Sequence, residues 1–242
     1  SHDELDLGRL TDAQRQKVFA AFGPEKNMQL YDRGIRRRLA PMLDNDRERL
    51  ELAFSLLFTL PGTPMLQFGD EIGIGDDLSL PERECARTPM QWSDEPHGGF
   101  SRAKRTVRPV ISDPIYGYEQ VNVEAQRRDP GSLLNWIERK IRMRREIPEI
   151  SWGDWAIVPT PEPGVLIMRY EYDGHAIITL HNFSSKPRAP RLEPSVAGHR
   201  LLVDLLGAHD SRADESGRHT IQLPAYGYRW YRPGQMDGTV TG

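Results

Sequence analysis

The residue pattern changes character near Pro148, and that change sets the architecture. Before it, apolar residues recur at helical spacing or gather in one compact run. After it they come in short β-rich runs separated by Gly, Pro, Asn and Asp. Upstream, Thr11-Asp12 followed by residues 13–21 predicts a short helix stopped by Gly23-Pro24. Asp44 or Asn45 is placed to cap a longer helix over 46–60, whose first turns are charged and whose end is almost wholly apolar. Pro61-Gly62 stops it, and Thr63-Pro64-Met65-Leu66-Gln67-Phe68 then reads as a short buried strand. Helix, tight turn and buried strand in that order are what an α/β unit produces. Ser132 caps a third helix carrying Leu133, Leu134, Ile137 and Ile141, closed by Pro148.

Beyond Pro148 the runs at 165–170, 176–180, 201–205 and 227–231 predict strands, and Asp173-Gly174 is a two-residue hairpin turn. The expected organisation is therefore an α/β region over 1–148 with a long loop at 69–129, an antiparallel β domain over 149–234, and a frayed tail at 235–242. Trp136, Trp152 and Trp155 are expected to pack the last upstream helix against the β domain. Tyr226, Tyr228, Trp230 and Tyr231 read as core and edge packing of a C-terminal strand.

A formal net charge of −3 gives no electrostatic reason to expect nucleic acid or an anionic membrane as partner. The longest apolar run, 52–60, is too short to span a bilayer, and no secretory signal is visible. Cys85 is the single cysteine, so no intrachain disulfide forms, which fits a cytoplasmic location. The histidines show no metal-ligand spacing, and Asp76-Asp77 without a fuller ligand ladder makes a poor calcium site.

The chain begins Ser1-His2-Asp3-Glu4 with no initiator methionine, as though a motif had been cut at its edge. A His-Asp pair can supply a sugar-hydroxyl donor and a carboxylate beside a developing oxocarbenium ion, but alone it is a common surface feature. It is followed in order by Gly62-Thr63-Pro64-Met65-Leu66-Gln67-Phe68-Gly69-Asp70-Glu71-Ile72-Gly73, Arg87-Thr88-Pro89-Met90-Gln91-Trp92, Gly98-Gly99-Phe100-Ser101 and Tyr116-Gly117-Tyr118-Glu119-Gln120-Val121-Asn122-Val123. Together these strings resemble the C-terminal portion of the α-amylase superfamily, glycoside hydrolase family 13, and within it the trehalose synthase (maltose α-D-glucosyltransferase) branch. Gln67-Phe68 stands where that branch usually shows Tyr-Tyr, and Ser1 where the family usually has Asn.

The resemblance implies the end of a (β/α)8 TIM barrel, from the end of strand seven through helix eight, followed by a β-sandwich domain. It implies that Asp3 is the third catalytic carboxylate, which stabilises the transition state, and that His2 hydrogen-bonds sugar hydroxyls. Arg87 would read the terminal glucose, since a planar guanidinium can hold a sugar hydroxyl and a carboxylate together, or fix the loop to the barrel. Trp92 and Phe100 would line the sugar site or pack structurally. Asp70 and Glu71 read as loop carboxylates. No segment resembles the family's nucleophile or general acid, so the 242 residues alone are expected to be inactive. The implied substrate is maltose, trehalose or a short α-glucan, with the missing N-terminal part of the barrel as a further partner and a maltokinase or a second copy as others. No metal site and no organic cofactor are implied; a structural calcium, by family habit, would draw on ligands outside this segment. The alternatives are an α-glucosidase or amylase-like hydrolase, and a non-catalytic remnant that binds glucan or protein.

Overall fold

The computed structural model describes residues 4–207 and 209–234. The chain forms two compact units, one of residues 1–50 and 65–139, the other of residues 51–64 and 140–242. The expected tail at 235–242 lies outside the described residues.

In the first unit, β1 (Leu5–Asp6) precedes α1 (Asp12–Phe22), as the sequence predicts for the helix. Thr11 and Gln14 close a reciprocal capping box that satisfies two otherwise orphaned N–H groups. The strands β2 (Gln29–Leu30) and β3 (Gly34–Ile35) join β1 in a small antiparallel sheet of order β1-β3-β2. Leu7, Phe19 and Ile35 bury one core under it. A short α2 (Leu39–Met42) leads to α3 (Arg47–Thr59). Asp46 caps α3 by accepting from Arg49 N at 3.1 Å. Asp44 and Asn45, expected as the cap, take left-handed φ of 57° and 54° and instead turn the chain into the helix.

Residues 63–68 form no strand. Met65 is 66% exposed and Phe68 49%, which corrects the expectation of a buried strand. A strand exists only with ladder partners, and among the described residues none pairs with this segment. The following loop, 69–129, lacks strands yet is packed. Ile72, Ile74, Met90, Ile111 and Val123 bury a second core within it. It also holds α4 (Val123–Arg128), capped by Asn122, whose Oδ1 accepts from Ala125 N at 2.8 Å. Next, α5 (Leu133–Arg145) starts at Ser132, whose Oγ accepts from Asn135 N at 3.2 Å, as predicted.

The second unit takes in the apolar end of α3, the end of α5, α6 (Pro148–Trp152) and all the later strands. α5 stops before Pro148, as predicted, and Pro148 then begins a new short helix, because its missing N–H costs nothing at a first helical turn. β4 (Asp154–Ile157), β5 (Val165–Tyr172) and β6 (His175–Asn182) follow. Asp173 and Gly174 link β5 and β6 with φ of 50° and 77°, the geometry of a type I′ turn. Then come β7 (Arg191–Leu192), α7 (Pro194–Ala197), β8 (Leu201–Asp204), β9 (Ser211–Arg212), β10 (His219–Thr220) and β11 (Tyr228–Pro233). Six strands make one antiparallel sheet, order β4-β5-β6-β11-β8-β9, and β10 and β7 pair as a separate ribbon.

Ile167, Ile178, Leu180, Leu202 and Tyr231 bury one face of the large sheet with Leu192, Ala197 and Ile221. The other face meets the end of α3. There Trp230 Nε1 donates to Ser55 Oγ (2.9 Å), Ser55 Oγ lies 3.0 Å from His181 Nε2, and the Tyr170 hydroxyl donates to the Thr59 carbonyl. Trp230 and Tyr231 are thus core residues, as the sequence suggests. Trp136 is buried, but Trp152 and Trp155 are 77% and 52% exposed, so these two do not serve the packing expected of them.

Candidate functional site

The string Arg87 to Trp92 builds one wall of a cavity, to which all of its residues except Gln91 contribute. Thr88 and Met90 are buried, whereas Arg87 and Trp92 stay about half exposed. Gln91, fully buried, donates from Nε2 to the carbonyls of Tyr116 (3.0 Å) and Val121. Its own carbonyl accepts from Val123 N (3.0 Å), and that of Trp92 from Glu124 N (2.9 Å). These bonds stitch an irregular segment to the start of α4, so that it needs no ladder to hold its shape.

Trp92 and Phe100 are brought together by the turn between them. Trp92 N and Ser93 N both donate to the Gly98 carbonyl, at 2.7 and 3.1 Å. His97, Gly98 and Gly99 all take left-handed φ, and a Cβ on Gly99 would lie 2.5 Å from Ser93 Oγ. The turn leaves Phe100 52% exposed beside Trp92. Both rings line a cavity of about 710 Å³ together with Arg87, Phe68, Glu71 and Arg108.

The Gly69-Asp70-Glu71 carboxylates part company. Gly69 sits at φ 88° with Ile74 pressed so close that a Cβ would meet it at 2.6 Å, which fixes the turn. Asp70 Oδ1 lies 3.5 Å from Arg38 Nε, and burial pushes its carboxyl above the usual carboxylate range against the pull of Arg38. The Arg38 guanidinium also donates to the Phe68 carbonyl and lies 5.4 Å from the Phe68 ring. Asp70 therefore anchors the loop, while Glu71 faces the cavity.

Asp76 and Asp77 are committed locally. Asp76 Oδ2 accepts from Arg37 Nε (3.0 Å) and Arg38 N (2.9 Å), and burial raises its carboxyl pKa. Asp77 Oδ1 accepts from Ser79 N (3.0 Å) and Ser79 Oγ (2.6 Å). Among the described residues, no group of three or more His, Cys, Asp or Glu side chains is arranged to hold a metal. The Cys85 thiol is buried and donates to the Arg36 carbonyl at 3.0 Å. No described helix is long and apolar enough to cross a membrane.

Of the residues singled out in the sequence, Arg87, Trp92 and Phe100 converge on the cavity. His2 and Asp3 lie outside the described residues. Glu84 was missed. Its carboxylate approaches Arg87 Nη1 at 4.0 Å and pairs with Arg108 Nε. A Glu three residues before an Arg was a readable local signal; the Arg108 contact, made across a loop, had none. Chemically the wall can bind a sugar: aromatic faces suit the C–H side of a pyranose, and a guanidinium suits its hydroxyls. Glu71 is the one carboxylate on that wall among the described residues, whereas retaining cleavage uses two.

Comparison with known proteins gives this cavity its family. The catalytic domain model of α-amylase matches residues 27–153, more than half of the chain. The chain belongs to the α-amylase family. A second model, the sucrose hydrolase-like C-terminal domain, matches residues 174–232, within the β-rich part of this α-amylase family member. The trehalose synthase of Pimelobacter sp. (strain R48) is 38% identical over 99% of this chain and 43% of its own length. The trehalose synthase/amylase TreS of Mycobacterium tuberculosis (strain ATCC 25618 / H37Rv) is 37% identical over 96% of this chain and 39% of its own. The chain thus spans about two fifths of the length of these relatives. Among solved structures, the trehalulose synthase MutB from Pseudomonas mesoacidophila MX-45 superposes with a TM-score of 0.63 at 20% identity, covering 81% of this chain and 41% of that one. At that identity the likeness speaks for the fold of the α-amylase family alone.

Proposed function

We propose that the 242 residues are the C-terminal portion of a trehalose synthase, an enzyme that interconverts maltose and trehalose by a retaining intramolecular glucosyl transfer. The observation that carries this reading is the convergence of Arg87, Trp92 and Phe100 on one cavity. The names of the trehalose synthase relatives that match nearly the whole chain support the branch.

In this reading residues 1–148 are the last part of the barrel, from the end of strand seven, with loop 69–129 over the active-site face, and residues 149–234 are a β-sandwich domain. Asp3 is the third carboxylate. It orients and distorts the glucose beside the scissile bond, and His2 holds the sugar hydroxyls. The nucleophile and general acid, which retaining enzymes place about 5–5.5 Å apart, come from the part of the barrel outside this sequence. The reaction opens the α-1,4 bond of maltose to give a covalent glucosyl-enzyme and free glucose. Glucose then turns over in the closed site and attacks through its 1-OH, regenerating the enzyme carboxylate and giving trehalose. Exclusion of water decides between transfer and hydrolysis, and loop 69–129 is the part of this chain placed to provide it. The step needs no organic cofactor, and a structural calcium would be bound outside this sequence. A maltokinase or a second copy of the chain is a proposed partner.

The test is product analysis with maltose on the full-length polypeptide that carries this sequence. Trehalose with minor glucose supports the reading; glucose alone selects the α-glucosidase or amylase-like alternative. Asp3→Asn in that polypeptide abolishes both products, and normal turnover by the variant removes Asp3 from the site. The 242-residue chain alone yields neither. If the full-length protein is inert on maltose while residues 149–242 are retarded in a glycogen-containing native gel, the non-catalytic binding reading replaces the enzyme.

A further inference from the structure

We propose that Glu84 is the positioning residue of the cavity: its carboxylate orients Arg87 and ties the 101–108 strap to the cavity wall, and so sets how tightly a terminal glucose is held. The inference rests on the reading above and names the group through which Arg87 acts.

The backbone at Glu84 is fixed from both sides. It lies in the 3-10 turn Glu82–Ala86, with Glu84 N donating to the Pro81 carbonyl (3.0 Å) and Arg87 N donating to the Glu84 carbonyl (3.0 Å). Cys85 and Ala86 beside it are buried. Its side chain therefore starts from a rigid base and is about one-third exposed, partly shielded from the solvent that would screen its charge. One oxygen faces Arg87 Nη1 at 4.0 Å; the other pairs with Arg108 Nε.

Those two arginines reach the cavity from different stretches of chain. Arg87 follows directly from the turn, whereas Arg108 ends an irregular strap whose residues Arg102 to Arg105 and Val107 are exposed. The strap is held at one end by Phe100 N on the His97 carbonyl (3.1 Å), and just past the other by buried Val110 and Ile111. The Arg108 pair with Glu84 fastens it to the opposite wall in between. Without the carboxylate, the guanidinium groups of Arg87 and Arg108 would lose the charge between them and repel each other, with Arg105 also on the cavity wall.

Glu84 does not line the cavity, so it works through its partners. At 4.0 Å the Glu84 carboxylate draws the Arg87 guanidinium by charge without a hydrogen bond, so it biases where the group sits and leaves its N–H groups for a ligand. Arg87 held in this way is pre-ordered to receive sugar hydroxyls. Ordering of a long side chain is a cost that otherwise falls on ligand binding. The consequence belongs to affinity more than to the chemical step.

The experiment uses the full-length polypeptide with maltose. Glu84→Gln, which keeps the size and removes the charge, raises KM for maltose about tenfold and changes kcat by less than about threefold, the pattern of lost uniform binding. Calorimetry in the Asp3→Asn background shows the same weakening of maltose Kd, so the result does not depend on turnover. Glu84→Asp keeps the charge and recovers part of the affinity. In an Arg87→Met background, Glu84→Gln has a smaller effect than in the parent protein, because the part that acts through Arg87 is already lost and only the Arg108 tie remains. An unchanged KM and Kd in Glu84→Gln, or an effect that adds fully to that of Arg87→Met, overturns the proposal. So does a lowered melting temperature with maltose affinity intact, since that marks a purely structural role. If the full-length enzyme makes only glucose, the trehalose synthase reading fails, while the affinity comparison still decides the role of Glu84.

Discussion

Apolar runs in two regions of the chain meet different fates. The run that becomes β5 and the run that becomes β6 pair over eight residue positions through a two-residue turn. The run at 63–68 reads as a strand too, yet it stays irregular with Met65 and Phe68 exposed. The difference is the location of the partner. β5 finds its ladder immediately downstream, where loop closure costs little. A parallel barrel strand finds its ladder in distant stretches of chain, and none of the described strands pairs with 63–68. Strand character in a sequence is thus a statement about burial, and it becomes a strand only where a second strand completes the hydrogen bonds.

The largest effect that would break this comparison lies in the β-rich unit. Leu180 on β6 is fully buried between strands. Leu180→Ala costs about 2–5 kcal/mol of unfolding free energy, read from a urea transition; a loss below about 1 kcal/mol would mean that the sheet core carries little of that unit's stability.

Next comes the buried face of the same strand. His181 is wholly buried beside Ser55 and Thr59, and burial lowers its pKa from 6.5 to about 4. The folded protein then binds fewer protons than the unfolded chain between those values. Its contribution to stability is unaffected by pH above 6.5 and is lost as pH falls through the window from 6.5 towards 4, on the order of 3 kcal/mol in all. Urea midpoints at several pH values measure it, and His181→Gln flattens the dependence in that window. An equal slope in the variant would assign the pH response elsewhere.

The smallest effect sharpens the contrast. Met65→Ser changes the stability of the 242-residue chain by less than about 0.5 kcal/mol, as an exposed position should. In the full-length polypeptide, where the proposed barrel closes over this segment, the same change costs about 2–5 kcal/mol. Equal small effects in both would argue against a strand at 63–68.

The same distinction explains what the residues reveal directly and what they do not. Caps and turns are local, so Thr11, Ser132 and Asp173-Gly174 mark their elements from sequence. Trp152 and Trp155 show the limit. Their size suggested packing, but helix end and edge strand leave them in solvent. At the cavity, the arginine and the two aromatic rings were readable because they stand in or near a string resembling a known family. Glu84 escaped because its importance depends on Arg108, a contact made by tertiary folding. Asp70 and Glu71, adjacent in sequence, face different neighbours because Gly69 and the buried Arg38 turn one of them away.

In the proposed reading this chain holds the closing part of a barrel completed by residues beyond it. Amide hydrogen exchange, followed in parallel on the 242-residue chain and on the full-length polypeptide, tests it most directly. The amides of β5 and β6 should be protected in both, whereas those of residues 63–68 should exchange quickly in the short chain and slow by about a hundredfold or more in the long one as a parallel ladder forms. Fast exchange at 63–68 in the full-length protein would contradict it.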